Sequence, residues 1–113
     1  MEIKSLGPLR EFGEERFTKR IIHKKDESVV FVLNFEPGQE LPTHNHPGTA
    51  VYILVLSGSG EVVIDGTPSA ITEDDVVWVD GAEQFAFKNT GSERVTLYVM
   101  LAKIPDERFA QNI

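Results

Sequence analysis

His44 and His46 stand one residue apart, and they are two of the three histidines in the 113-residue chain. On an extended strand the side chains of residues i and i+2 project to the same face. Two imidazoles placed this way can share one divalent ion, each ring nitrogen at about 2.0–2.1 Å. Zinc, nickel, manganese and iron are the candidate ions, since imidazole accepts a range of divalent first-row metals. Two neutral donors do not fill a coordination shell, so the chain is searched for a carboxylate. If Phe85 and Phe87 face inward, period-2 counting puts Glu83 on the same side, just past a turn, as the candidate third ligand. Thr49 and Tyr52 are weaker candidates. His23 lies alone on a distant segment and reads as a half-exposed structural histidine, because an isolated imidazole lacks partners for chemistry. Val51, Ile53, Phe85 and Phe87, residues of the kind that ordinarily fill a β core, are the candidate cavity-lining residues should the strands enclose a space beside the pair.

Other chemistries lack their residues. The chain has no cysteine, which removes disulfides and thiolate nucleophiles. No Ser-His-Asp order, phosphate-cradling glycine loop or paired catalytic carboxylate is present. The formal charge of −7 is unevenly spread. Residues 1–25 hold seven Lys/Arg against four Asp/Glu, and residues 26–113 hold four against fourteen. Nucleic acid is not expected as a partner, since phosphate binding needs a concentrated basic surface. The basic start, with Lys19, Arg20, Lys24 and Lys25, reads as a solvated strand or loop. No membrane partner is expected either, as no run approaches the roughly 20 apolar residues that span a bilayer. Without an apolar stretch suited to a signal peptide, the expected location is cytoplasmic.

The elements that must carry the histidines are strands. Arg16–His23 is a first candidate, and Lys24-Lys25-Asp26-Glu27 turns the chain. Val29–Phe35 is rich in β-branched and aromatic residues and ends at Pro37-Gly38. Ala50–Leu56 follows, closed by Ser57-Gly58-Ser59-Gly60, and then Glu61–Asp65 with the hairpin signal Asp65-Gly66. Further strands are expected near Pro68–Ile71, over Val76–Val79, over Phe85–Phe87 and over Arg94–Lys103. About eight or nine closely spaced strands without an interior helix indicate an all-β sandwich or barrel. One domain is expected over residues 1–113, with an irregular segment at 1–15, a barrel at 16–103 and a tail at 104–113. A short helix over Pro105–Ala110 is expected in the tail. His46 and Val51 have opposite parity, so both face inward only if Pro47-Gly48-Thr49 contains a kink or bulge.

With these residues in view, the chain resembles the cupin superfamily, in particular its small single-domain members. The first motif of that family runs Gly, five residues, His-x-His, three or four residues, Glu, six residues, Gly. It is matched from Gly38 through His44-Asn45-His46 to Gly58, with Val51 at the glutamate position. The second motif is matched from Asp74 to Asn89, with Asp80-Gly81-Ala82 at the usual Pro-x-Gly and Phe85 at the usual third histidine. The resemblance covers roughly residues 30–100. It implies a double-stranded β-helix, a jelly-roll β-barrel around a central cavity, and a metal site reduced to two histidines with low metal occupancy. It also implies a homodimer, with the irregular N-terminal segment covering an exposed sheet edge of the partner.

Fold alone does not select an activity. Three readings follow. One is a cupin that binds a small, partly apolar molecule and a divalent metal through the two-histidine site. Another is a metal-dependent dioxygenase or isomerase that completes its site with Glu83 or with substrate. The third is a non-catalytic structural or regulatory protein.

Overall fold

A computed structural model describes residues 1–103. The helix expected at Pro105–Ala110 lies outside the described residues. After a 3₁₀ turn at Gly7–Leu9 come nine strands: β1 (Thr18–Lys25), β2 (Ser28–Phe35), β3 (Glu40–His44), β4 (Thr49–Ser57), β5 (Ser59–Ile64), β6 (Thr67–Thr72), β7 (Val76–Asp80), β8 (Phe85–Lys88) and β9 (Val95–Lys103). They form a five-stranded sheet in the order β1-β2-β9-β4-β7 and a four-stranded sheet in the order β3-β8-β5-β6. All pairings are antiparallel. The fold is all-β, as the spacing of strands and turns indicates, and it is the double-stranded β-helix that the resemblance implies.

The hydrophobic core lies between the sheets. Phe31, Leu33 and Phe35 on β2 alternate inward, as do Val51, Ile53 and Val55 on β4 and Val95, Leu97 and Val99 on β9. Val62, Ile71, Phe85 and Phe87 answer from the smaller sheet. Removing such side chains from water is the main favourable contribution, about 1.5–3 kcal/mol each relative to exposure.

Turn chemistry closes the strands. Asp65 (φ 47°) and Gly66 (φ 84°) both take left-handed backbone in the β5–β6 hairpin, the conformation a two-residue primed turn requires. Asp26 (φ 52°) does the same between β1 and β2, so β1 runs through Lys24 and Lys25, which the sequence reading placed in the turn.

β3 was missed from sequence. It is an edge strand, contains Pro42, and has an irregular register between Leu41 and His44, so no regular alternation announces it. Immediately after His46 the chain crosses from the smaller sheet to the larger one through Pro47-Gly48, with Gly48 at φ +83°. This is the kink that the opposite parity of His46 and Val51 required.

Residues 1–15 form a strap on their own barrel. The buried amide of Asn34 donates to the Leu9 carbonyl (2.9 Å) and to Thr18 Oγ1 (3.2 Å), and its oxygen accepts from Thr96 Oγ1 (3.0 Å). Gln39 Nε2 donates to the Gly13 carbonyl at 2.7 Å, and Thr18 Oγ1 donates to the Glu11 carbonyl. A buried amide satisfied in this way costs little, whereas stripping its partners would leave it unpaired.

Candidate functional site

Between the two sheets lies a cavity of about 200 Å³. The larger sheet contributes Phe31 and Leu33 from β2, Ile53 from β4, and Leu97, Val99 and Leu101 from β9. The smaller sheet contributes Leu41 from β3 and Phe85 and Phe87 from β8, and Phe17 joins them just before β1. Three polar side chains share the lining: His44, His46 and Lys19.

His44 is the last residue of β3, held against β8 by pairing with Phe85. Its Nδ1 lies 2.8 Å from the Pro42 carbonyl oxygen. A carbonyl only accepts, so Nδ1 carries a proton and donates, and Nε2 is the ring nitrogen left to the cavity. His46 lies just past the strand and is positioned through its backbone. Its N–H donates to the Gly81 carbonyl at 2.8 Å, while its own carbonyl accepts from the Thr49 amide and from Thr49 Oγ1 (2.7 Å). Gly81 N–H in turn donates to the Thr49 carbonyl at 2.9 Å. The β7–β8 turn thus clasps the turn that carries His46. Gly81 permits the approach: a β-carbon there would collide with the carbonyl oxygens of His46 and Thr49.

The two imidazole rings meet edge to face, centroids 4.9 Å apart at 87°. His44 also leans on Phe85, at 4.2 Å and 49°. Burial holds the His46 pKa below the ordinary imidazole value, and the neighbouring His44 and Lys19 push it the same way. Lys19 stands exposed at the mouth, its ammonium 4.5 Å from the centroid of the Phe31 ring.

Of the cavity residues expected from sequence, Ile53, Phe85 and Phe87 line this space with the two histidines. Val51 is fully buried on the same face of β4 but packs into the core away from the cavity wall. Glu83 does not join the imidazoles. Its carboxylate accepts the Asp80 amide at 3.0 Å and closes the β7–β8 turn, where period-2 counting no longer applies. Thr49 serves the His46 backbone, Tyr52 is 39% exposed on the outer face, and His23 pairs with Glu2 at 3.2 Å. Lys19 was missed because a strand with several cations resembles a solvated edge. The signal that could have found it is parity, which puts Phe17, Lys19 and Ile21 on one face.

Whether a metal fits is decided by the donors. Among the described residues no group of three His, Cys, Asp or Glu converges. Phe85 pairs directly with His44 in the ladder and brings an apolar ring where another donor would have to sit. Two imidazoles are half of a tetrahedral shell and leave the ion's charge uncompensated. The residues present therefore do not fit a resident metal ion.

Residues 20–101 match the cupin domain family. The chain belongs to that family. Solved structures agree on the cupin fold. An uncharacterized conserved protein with a double-stranded β-helix domain from Klebsiella pneumoniae superposes with a TM-score of 0.85 at 22% identity, covering 91% of this chain and 90% of that one. An RmlC-like cupin from Desulfovibrio desulfuricans gives 0.81 at 25% identity, covering 90% and 96%. The cupin domain of an XRE-family transcriptional regulator from Enterobacter cloacae gives 0.73 at 20% identity, covering 80% and 100%. No curated protein matches the chain. The cupin motifs of this chain carry Val51 and Phe85 where ligands are usual, and no helix among the described residues is long and apolar enough to cross a membrane.

Proposed function

We propose that this cupin is a binding protein for a small, partly apolar molecule, held between the sheets with His44 and His46 as its polar pole. The observation that carries the reading is the lining itself: ten apolar side chains against three polar ones around about 200 Å³. Pockets of this composition, with a few convergent polar groups fixing orientation, are typical small-molecule sites. With Nδ1 committed to the Pro42 carbonyl, Nε2 is the His44 ring nitrogen left to meet a hydroxyl or amide on the ligand.

The test is a titration with benzyl alcohol followed by methyl NMR. The expected result is saturable shifts at Ile53, Leu97 and Leu101, lost in Leu97→Trp, which fills the space. A titration that moves none of these methyls overturns the reading.

Transient metal binding is the second reading, and it would rest on His44 and His46 alone, which do not make a resident site. With two imidazoles the ion would bind weakly and exchange readily, its shell completed by water or ligand, so no reaction step is drawn through it. The dioxygenase or isomerase alternative depends on that completion. Residence in the cytoplasm belongs to the same proposal, supported by composition.

Homodimerisation is proposed as well. Outside the strap, the outer face of the larger sheet leaves Tyr52 (39%), Val76 (68%) and Trp78 (61%) exposed on β4 and β7. The fitting occupant is a second copy. With a two-fold axis along the strands, the strap of each copy would lie beside the β7 edge of the other, the edge-covering role expected of this segment. The strap would then serve its own sheet and flank the partner's edge at once.

A further inference from the structure

We infer that the ligand of this cavity carries a single carboxylate, and that Lys19 is the residue that recognises it. The inference rests on the binding reading above and narrows it to apolar monocarboxylates. The chain holds 18 Asp and Glu against 11 Lys and Arg, yet among the described residues no carboxylate lines the cavity and the one charged group that does is a cation. In a protein of formal charge −7, that reverses the prevailing sign at this apolar cavity.

Three features make Lys19 the anchor. Its ammonium makes no ion pair among the described residues, although the neighbouring Arg20 lies 3.8 Å from Glu11. It rests over Phe31, itself a cavity wall, so a carboxylate at Lys19 leaves the rest of the ligand against apolar surface. His44 has one ring nitrogen already committed, its Nδ1–H serving the Pro42 carbonyl, whereas the Lys19 ammonium has three donors to offer. The lowered pKa of His46, caused in part by Lys19, agrees with a cationic mouth. A dianion or phosphate ester meets no second Lys or Arg among the described lining residues, so one negative charge is the matching number.

The probes are phenylacetate and phenylacetamide, the same body with and without the charge, titrated by calorimetry into wild type, Lys19→Met and Lys19→Arg, with the backbone NMR spectrum as the check on folding. Phenylacetate is expected to bind about tenfold more tightly than the amide, an advantage lost in Lys19→Met and largely kept in Lys19→Arg. The advantage should shrink as salt is raised, since a charge at the mouth is screened. Equal binding of acid and amide, or a preference that survives Lys19→Met, overturns the carboxylate inference and leaves the apolar-ligand reading standing. If neither probe binds while benzyl alcohol does, the carboxylate inference falls alone; a benzyl alcohol titration that moves none of the cavity methyls overturns the binding reading and the inference with it.

Discussion

His46 shows how one side chain registers its surroundings. Burial first, then His44 and Lys19, make its protonation unfavourable, so the folded protein keeps this imidazole neutral at pH values where an ordinary one is charged. The consequence for stability has a definite sign. Above the ordinary imidazole pKa of about 6.5 neither state binds the proton, and the full contribution of His46 to folding is present. As pH falls below that value the unfolded chain takes up a proton that folded His46 resists, and stability is lost progressively toward the depressed pKa. The check is an NMR titration of the ring protons. The His46 midpoint should lie below 6.5, and Lys19→Met should move it upward by removing a cation. A wild-type midpoint at or above the ordinary value contradicts this account.

At the scale of elements, the site depends on two turns holding one another. The β7–β8 turn reaches the His46 turn through paired backbone hydrogen bonds, and Gly81 leaves the space for them. Gly81→Ala must therefore separate the turns or strain them, and overpacking of this kind costs about 1–3 kcal/mol. Urea denaturation should show that loss, together with shifts of the His46 and Thr49 amides; a variant as stable as wild type would show the contact to be soft.

Much of the strand order was legible for a simple reason. β2, β4 and β9 are long and β-branched, and their boundaries coincide with Pro, Gly or charged turns. The His-x-His spacing within the glycine framework placed two side chains at the cavity before any geometry was known. Legibility failed where alternation failed. β3 carries Pro42 at an edge, and Glu83 sits inside a turn whose hydrogen bonds, rather than strand parity, direct its carboxylate to Asp80. Val51 obeyed parity and is buried, but which buried residue borders a void depends on the depth of packing, which no one-dimensional pattern records. Lys19 was hidden by its basic neighbours.

Across the whole molecule, the outer surface of the larger sheet divides into a half under the N-terminal strap and an open half bearing Tyr52, Val76 and Trp78. Exposed aromatic and β-branched side chains on adjoining strands β4 and β7 form the sort of patch that self-association buries. Trp78→Glu puts a charge at its centre. Sedimentation should find wild type dimeric and the variant monomeric, with an unchanged far-ultraviolet spectrum. Wild type sedimenting as a monomer would remove the dimer from the proposal.

Trp78 is the chain's sole tryptophan, and it points to the outside of the barrel. Its emission is thus a natural gauge of what touches the outer sheet and is blind to the filling of the hollow within. A ligand screen read by intrinsic fluorescence would score occupied protein as empty, and a blue shift on concentrating the sample would announce assembly.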